Sequence, residues 1–462
     1  MRESPAAYPP TSARVAWIFF DWATQPFFTL VTTFIFAPFF AARIAQTPAD
    51  GQALWGYATG AAGFLIALGS PTLGAVADAT GQRKPWIAGF GALLALGCAA
   101  LWFAAPGERW AIPAALAGFA IATVGAEFAT VFNNAMMPTL APPERLGRLS
   151  GTGWAVGYLG GLLALAFTLA CLSAAPETGL TLAGLRPLFG LDPASGGGDR
   201  AVGPLSAIWF VVFVAPMFWL CPDGRSSRLS LRKAARLGLA TLGASIRALS
   251  PSQPLARFLL ANMLYADGLA TLFALGGIYA AGAFGWGTTQ IGLFGIVLIV
   301  TGAIGAFVGG RLDESIGPRR VIAIGVSLLL LAVIGILGTT RDTVLFLWPS
   351  SPPGPALFAS GAEQCYLALG SLIGLVAGPV QAASRTMLAR LSPPGQAGQS
   401  FGLFALSGKV TSFLGPTLAA IVTDIFDSQR AGLATLVLFF GAGLAVLLAA
   451  PSSLSGGSAD NR

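Results

Sequence analysis

The fold is decided by a stretch of sequence that occurs twice in the chain, LAPPERLGRLSG at residues 140–151 and LSPPGQAGQSFG at residues 391–402. The leucine, both prolines and both glycines fall at the same positions in the two copies. A second pair of loops also repeats, GAVADATGQRK at 74–84 and GGRLDESIGPRR at 309–320, with one additional residue in the later copy. Long apolar runs flank each copy. The repeats therefore predict two related bundles of membrane helices, an architecture typical of proteins that move solutes.

The composition places the chain in lipid rather than in water. Hydrophobic residues make up 55% of the 462 residues and charged residues only 10%, whereas a water-soluble domain carries roughly a quarter charged residues. More apolar surface is therefore present than a fold surrounded by water is able to bury.

The residue types exclude several classes of function. Histidine is absent, which excludes His-based proton relays and a Ser-His-Asp triad, and the four cysteines show no CxxC spacing. A nucleotide-binding loop of the form GxxxxGKS or GxxxxGKT is also missing. We therefore predict that the chain is not an enzyme, that it needs no cofactor or metal, and that ion or solute gradients supply its energy.

Twelve apolar runs are long enough to form spanning helices, each of which needs about 20 residues. They cover residues 15–42, 54–76, 86–105, 111–138, 149–171, 204–221, 258–284, 289–310, 321–338, 356–384, 400–423 and 432–450. We number them spans 1–12 and predict an all-α membrane protein of two pseudo-symmetric six-helix bundles. The predicted boundaries are an N-terminal tail at 1–14, a first bundle at 15–221, a basic linker at 222–257, a second bundle at 258–450 and a C-terminal tail at 451–462. Within the linker, leucines alternate with basic residues, which predicts an amphipathic segment on the anionic inner leaflet; a plain tether is the alternative.

The basic residues predict the orientation of the chain. If the N-terminus is cytoplasmic, 19 of the 26 Lys and Arg residues fall in inside segments, six fall in outside segments, and Lys409 lies within span 11. Such an excess on one side follows the positive-inside rule and places both termini in the cytoplasm. The first apolar run is too long for a signal peptide. We therefore expect a multi-pass protein of the bacterial inner membrane. The net charge of +7 reflects the excess of basic residues in the cytoplasmic loops and does not indicate a nucleic-acid partner.

The repeated loops and the twelve spans resemble the major facilitator superfamily. The loop after span 2 is similar to the best-known motif of that superfamily, in which glycines permit a tight turn and close helix approach. Asp78 is able to accept hydrogen bonds from helix N-terminal amides and to pair with a basic residue, which would hold one cytoplasmic state; an exposed loop aspartate is the alternative. The predicted gating residues of the two loops are Gly74, Asp78, Gly81, Arg83, Lys84, Asp313 and Arg319.

More specifically, the chain resembles the family of autophagy-linked vacuolar amino-acid effluxers and their bacterial relatives. The resemblance rests on FDWA at 20–23, NNAMMPTL at 133–140, SGTGWAVGYLGG at 150–161, LYADG at 264–268, QAASR at 381–385, FGLF at 401–404 and GP at 415–416. It covers nearly all spans. The resemblance implies a transporter, with amino acids as the cargo.

Polar side chains recur at helical spacing in three predicted spans, so each set lies on one face of its helix. The sets are Asp21, Gln25, Thr29 and Thr32 in span 1, Thr123, Glu127, Thr130 and Asn134 in span 4, and Asn262, Asp267 and Thr271 in span 7. Each carboxylate needs a function or a partner, because a charge at the bilayer centre costs roughly 2.5–3.5 kcal/mol. We predict a central aqueous cavity in which these residues bind the solute and a cation or proton. Interhelical hydrogen bonding without solute contact is the alternative, and Asp21 and Asp267 are also placed to form gate pairs near the cytoplasmic end.

Four further residues complete the candidates. Lys409 lies deep in span 11, where it either counters a carboxylate or extends toward the cytoplasm. Tyr158 of span 5 is a candidate for solute contact, with packing as the alternative. Arg148 opens span 5 and Arg385 closes span 10, and for both we predict roles in gating.

These observations predict a monomeric secondary active transporter that works by alternating access. Its partners are a small polar solute, amino-acid-like by preference, a coupling proton or Na⁺, and membrane lipid. A sugar–cation symporter is the alternative within transporters. A non-transporting receptor or a lipid-handling scaffold is the alternative from another class.

Overall fold

The computed structural model describes residues 8–175, 178–227, 229–248, 250, 253–286, 288–351, 357–409 and 411–449. The predicted C-terminal tail at 451–462 lies outside the described residues, as do the first seven residues of the N-terminal tail. Nearly all of the described chain is helical.

Twelve helices in the described part of the chain are long and apolar enough to cross a membrane, so the predicted number of spans is confirmed. Spans 1–6 are Thr11–Ile44, Asp50–Thr80, Lys84–Phe103, Ala111–Leu140, Pro143–Leu172 and Gly197–Leu220. Spans 7–12 are Pro254–Phe284, Gln290–Ile316, Pro318–Leu337, Gly361–Leu391, Ala397–Phe426 and Gln429–Leu448. Three described elements lie outside the spans, namely a short 3-10 helix at Leu188–Gly190, a linker helix at Leu231–Ala248 and a two-stranded antiparallel hairpin of Thr343–Val344 and Trp348–Pro349.

Several span boundaries follow from local capping. Thr47 Oγ1 accepts a hydrogen bond from the amide of Asp50 at the start of span 2, and Gly81 ends that span in the left-handed conformation. Ser360 and Glu363 form a reciprocal capping box at the start of span 10. Because caps satisfy the terminal amides and carbonyls of a helix, these residues fix where the spans begin and end.

Spans 1 and 11 are not the continuous α-helices that the sequence predicted. Span 1 is α-helical over Thr11–Pro26 and then contains π-helical turns at Phe27–Phe34 and Phe40–Ile44. Pro26 lies at the first change, where its ring removes one backbone donor. Span 11 consists of two helices, Ala397–Lys409 and Leu414–Phe426. Lys409 therefore ends a helix inside the span rather than lying within one.

The chain divides into two compact units that do not follow the sequence halves exclusively. Unit 1 is built from residues up to Ala141, Val156–Ala240 and Gly395–Gly402. Unit 2 is built from Pro142–Ala155, Thr241–Pro394 and the residues from Leu403 onward. Each sequence half therefore contributes a short segment to the other unit, and the two segments overlap the two copies of the repeated LxPP sequence.

The core of each unit is apolar and rich in aromatic side chains. In unit 1, the rings of Trp22 and Trp209 stack with centroids 5.6 Å apart, and Trp209 Nε1 donates to the Trp22 carbonyl. In unit 2, the Tyr366 ring lies among Phe284, Trp286 and Phe294. Such ring pairs add about 0.5–1.5 kcal/mol each beyond the area that they bury.

Candidate functional site

The polar face of span 1 packs against a glycine row of span 5 within unit 1. A Cβ atom at Gly157 would lie 3.3 Å from Asp21 Cβ, and one at Gly161 would lie 2.8 Å from Gln25 Cγ. Thr29 is buried at the same interface, whereas Asp21 and Gln25 are partly exposed. Because glycine has no side chain, Gly157 and Gly161 leave room for the candidate residues of span 1. The partly exposed Tyr158 lies next to Gly157 in span 5.

Span 4 carries polar residues of two kinds. Thr123 and Thr130 donate their hydroxyl hydrogens to carbonyls one turn earlier in the same helix, both at 2.8 Å, so their bonding capacity is used locally. Glu127 is partly exposed and Asn134 is buried. Glu127 and Asn134 also interact with other groups of the protein, so the solute contacts predicted for span 4 stay predictions.

Span 7 brings its predicted residues into the core of unit 2. The Tyr265 hydroxyl shares a 2.7 Å hydrogen bond with Ser384 Oγ of span 10, and Thr271 Oγ1 donates to the Asp267 carbonyl at 2.7 Å. The Asp267 side chain is only 2% exposed. Asp267 is therefore the most deeply buried of the three intramembrane carboxylates that the sequence predicted.

Asp78 accepts hydrogen bonds from the first amides of span 11, both partners belonging to unit 1. The Gly398 N–H donates to Asp78 Oδ1 at 2.9 Å and the Gln399 N–H donates to Oδ2 at 2.8 Å. Arg83 also forms an ion pair with Oδ1. A carboxylate at a helix N-terminus gains both hydrogen bonds and favourable interaction with the helix dipole.

The contact of Asp78 depends on glycines at closely approaching backbones. A Cβ at Gly74 would lie 2.6 Å from the Gly398 carbonyl carbon, and a Cβ at Gly398 would lie 2.6 Å from the Gly74 oxygen. Further along, a Cβ at Gly402 would lie 2.8 Å from Pro71 Cα. The repeated glycines of the sequence thus permit the close approach that brings the amides of Gly398 and Gln399 to Asp78.

A second contact in unit 2 involves the other copies of both repeats. Asp313 is 1% exposed, and a Cβ at Gly147 would lie 2.6 Å from Asp313 Cβ. Arg390 Nη2 lies 3.4 Å from Asp313 Oδ1, while the predicted gating residue Arg319 donates to the Leu448 carbonyl. The Asp313 contact therefore repeats the position of the Asp78 contact, but its ion-pair partner comes from span 10.

Arg148 and Arg385 are each held within unit 2. Arg148 pairs with Glu314 at 2.8 Å, and its side chain is 59% exposed. Arg385 is buried and donates from Nε to Ser150 Oγ at 2.9 Å and from Nη2 to the Ser150 carbonyl at 2.8 Å. The buried Arg385 guanidinium is therefore held at Ser150 of span 5, and its role in gating stays a prediction.

Four residues that contact the predicted gating residues were not identified from the sequence. They are Ser150, Arg390, Glu314 and Asp223. The Asp223 carboxylate accepts hydrogen bonds from the Arg83 and Lys84 amides at 2.8 and 3.1 Å, and thereby caps span 3. Its signal in the sequence was an acidic residue directly after span 6, in a segment that is otherwise basic.

Replacement of Asp223 by Ala is expected to destabilise the folded protein by about 1 kcal/mol, because the first amides of span 3 lose their acceptor. Asp223→Asn retains a side-chain oxygen and is expected to cost less. The measurement is thermal unfolding of both purified variants beside the wild type. Equal Tm values for Asp223→Ala and the wild type would contradict the capping role.

Cys221 lies directly after span 6 and is buried. Its Sγ donates to the Ala13 carbonyl at 3.1 Å, and burial raises the pKa of the thiol to about 11. The thiol is therefore protonated at neutral pH and is not a nucleophile.

Comparison with known proteins gives a family match over most of the chain. Residues 143–455 match the model of the family described as vacuole effluxer Atg22 like. An uncharacterized MFS-type transporter of Bacillus subtilis, YxiO, is 24% identical over 96% of this chain and 96% of its own length. Autophagy-related protein 22-1 of Aspergillus niger is 24% identical over 61% of this chain, and the match spans 44% of the fungal protein.

Solved structures share the fold at low sequence identity. The E. coli fucose:proton symporter FucP matches with a TM-score of 0.68 and 16% identity, covering 95% of this chain and 98% of the symporter. The human organic anion transporter MFSD10 matches with a TM-score of 0.67 and 17% identity, covering 95% of this chain and 100% of that protein. These structures have the major facilitator fold, which agrees with the two repeated six-helix bundles predicted from the sequence.

Proposed function

The chain belongs to the Atg22-like vacuole effluxer family of major facilitator transporters, and we propose that it moves a small, amino-acid-like solute by proton-coupled alternating access. The chain is a multi-pass integral membrane protein and not an enzyme. In the proposed cycle, the Asp78 and Asp313 contacts form in one state and open in the other.

The observation that carries the proposal is the Asp78 contact with Gly398 and Gln399. It joins the last turn of span 2 to the first turn of span 11 through two backbone amides and one carboxylate. Such a contact has a specific geometry, and in the proposed cycle it forms in one state and opens in the other. The Asp313 contact places a second carboxylate at the corresponding position of the repeat.

The carboxylates within the spans support an amino-acid-like cargo. Asp21 and Glu127 are partly exposed carboxylates of unit 1. An amino acid carries an ammonium group, which these carboxylates would attract. Gln25, Thr29, Asn134 and Tyr158 would supply the neutral hydrogen-bonding groups.

A gradient is the proposed energy source. One elementary charge that crosses 100 mV is worth about 2.3 kcal/mol, which corresponds to roughly forty-fold accumulation of a neutral solute. A carboxylate that is protonated on one side and released on the other would transfer this energy to the solute. We propose a proton as the coupling ion, with Na⁺ as the alternative.

We propose an orientation and a membrane for the protein from the distribution of its basic residues and from its bacterial relative. The excess of Lys and Arg on one side supports a cytoplasmic location for both termini, and the relative from Bacillus subtilis supports the bacterial inner membrane. We propose that the protein acts as a monomer, in which one chain supplies the whole transport pathway.

A sugar–cation symporter is the second candidate. Fold neighbours include the fucose:proton symporter FucP and the proton:xylose symporter XylE, the latter with a TM-score of 0.63 and 13% identity. Neutral side chains such as Gln25 and Asn134 are suited to sugar hydroxyls. Because the identity is so low, the cargo has to be decided by transport measurements.

The proposal is tested by uptake into proteoliposomes, with one pool of labelled amino acids, one pool of labelled sugars and an imposed pH gradient. We expect uptake of amino acids, and a decrease of at least tenfold for Asp21→Asn. Glu108→Gln, which neutralises an exposed carboxylate of the same unit, is the control and should transport as the wild type does.

Three other results are informative. Uptake of sugars alone would establish the second candidate. Equal uptake by Asp21→Asn and the wild type would remove Asp21 from the site. An absence of flux for both pools would contradict transport and favour a receptor or lipid-handling scaffold.

A further inference from the structure

Asp267 is the acidic residue in the middle of span 7. It is 2% exposed within Pro254–Phe284, and a charge at such a depth is costly unless it is neutralised. Asp267 Oδ1 has no hydrogen-bond partner among the residues that the structure describes. The wild-type fold therefore retains a buried carboxylate oxygen that lacks a donor.

The interruption of span 11 packs directly on this part of span 7. The helix Ala397–Lys409 ends there, and a new helix begins at Leu414. A Cβ at Gly415 would lie 3.1 Å from the Asp267 carbonyl oxygen. The C-terminal end of a helix carries partial negative charge, and broken helices at membrane depth are characteristic positions for bound cations.

Thr411, within the interruption, provides a second oxygen beside Asp267. Its side chain interacts with the Asp267 carboxylate, yet Thr411 Oγ1 forms no hydrogen bond of normal geometry with any described residue. A buried carboxylate oxygen beside a hydroxyl oxygen that is able to accept as well as donate has the chemistry of a cation site. A proton on Oδ1 would donate to Oγ1, and Na⁺ would be bound by both oxygens.

Among the residues that the structure describes, none forms an ion pair with Asp267. On the packed helices, Tyr265 is bonded to Ser384 and Arg385 is bonded to Ser150. Lys409 ends the preceding helix of span 11 and takes part in interactions of its own. The remaining charged residues of spans 8, 10, 11 and 12 lie toward helix ends, namely Arg311, Asp313, Glu314, Glu363, Arg390, Asp424 and Arg430.

Asp267 differs in this respect from the other two intramembrane candidates. Asp21 and Glu127 are partly exposed, and both interact with other groups of the protein. Their charges are therefore already accommodated by water or by a partner. Asp267 combines the deepest burial with an oxygen for which no described donor exists.

We propose that Asp267 and Thr411 form the site that binds the coupling cation, a proton or Na⁺, at the interruption of span 11. This inference rests on the proposed transport function and assigns the coupling step to one of its three carboxylates. The helix that ends at this site begins with the amides that bind Asp78. Occupation of the site therefore acts on a helix whose first turn takes part in the contact proposed to open and close.

The test compares two transport modes in proteoliposomes that contain Asp267→Asn. Accumulation driven by a gradient should fall from about forty-fold at 100 mV to no accumulation. Exchange of labelled for unlabelled solute, which needs no gradient, should be retained and should fall by a much smaller factor than accumulation does. A pH gradient without Na⁺ and a Na⁺ gradient at equal pH distinguish the two cations.

Two further variants control the test. Asp424→Asn, which neutralises an exposed carboxylate of span 11, should accumulate solute as the wild type does. Thr411→Ala should raise the half-saturating concentration of the driving ion about fivefold, as expected for the loss of one hydrogen-bonding oxygen, without changing the KM for solute. A change in KM for solute with unchanged ion dependence would overturn the assignment of Thr411.

The proposal is overturned if Asp267→Asn accumulates solute normally, or if it loses exchange together with accumulation while remaining folded. An absence of exchange in the wild type would contradict the proposed transport function instead. The site is then decided by thermal unfolding of purified protein across NaCl concentration and pH. A shift in Tm for the wild type that Asp267→Asn lacks would support the cation site, and identical shifts would overturn it.

Discussion

Gly74→Leu is expected to reduce transport at least tenfold, because a side chain at this position collides with the backbone of span 11. A Cβ at Gly74 would lie 2.6 Å from the Gly398 carbonyl carbon and 3.1 Å from the Gln399 nitrogen. These are backbone atoms that cannot rotate away. Overpacking of this kind typically costs about 1–3 kcal/mol, and the entire cost falls on the state in which Asp78 is bound to Gly398 and Gln399.

Gly60→Leu is the matched control, because it makes the same replacement in the same span where a Cβ would meet nothing within 4 Å. Both variants are purified, checked for folding by size-exclusion chromatography and compared by initial uptake rate. We expect Gly60→Leu to transport at nearly the wild-type rate. Equal rates for the two variants would show that the close approach at Gly74 is not needed for transport.

Asp78→Ala is expected to have the largest effect, a decrease in transport of at least fifty-fold. The substitution removes the acceptor of the Gly398 and Gln399 amides and the partner of Arg83. Hydrogen bonds to a charged group contribute about 1.5–3 kcal/mol each, so the loss of two would depopulate the Asp78-bound state about a hundredfold or more. A cycle that has to pass through this state would slow accordingly.

Asp313→Ala provides the comparison for Asp78→Ala within the same protein. Asp313 forms a longer contact of 3.4 Å with Arg390, and its Oδ2 has no hydrogen-bond partner in the described part of the chain. Its removal is therefore expected to slow transport less than removal of Asp78. The measurement is the initial uptake rate of the two variants. A larger decrease for Asp313→Ala would contradict the prediction that the amides of Gly398 and Gln399 make the Asp78 contact the stronger one.

Much of the fold followed from features that are local in the sequence. Apolar runs longer than about 20 residues identify spans without any knowledge of their neighbours. The repeat at 140–151 and 391–402 predicted two related helix bundles, and the contacts of these segments with Asp313 and Asp78 were seen only in the structure. For Asp78, the chemistry of a carboxylate at a helix N-terminus was inferred from the loop motif, and the structure contains that contact with Gly398 and Gln399.

The remaining features depend on residues that are distant in sequence. Nothing near Asp313 indicates that its ion-pair partner is Arg390, and nothing near Arg83 indicates the cap from Asp223. The interruption of span 11 is a tertiary property as well, because its hydropathy is continuous with a spanning helix. The sequence therefore predicted one span at 400–423, with Lys409 inside it.

The central claim is that the Asp78 contact opens during each transport cycle, and hydrogen–deuterium exchange of residues 395–402 measures it most directly. We expect the Gly398 and Gln399 amides to exchange slowly in resting proteoliposomes. While a gradient drives transport, we expect them to exchange at least tenfold faster. Asp78→Ala should exchange rapidly under both conditions. Unchanged slow exchange in wild-type protein that is accumulating solute would contradict alternating access through this contact.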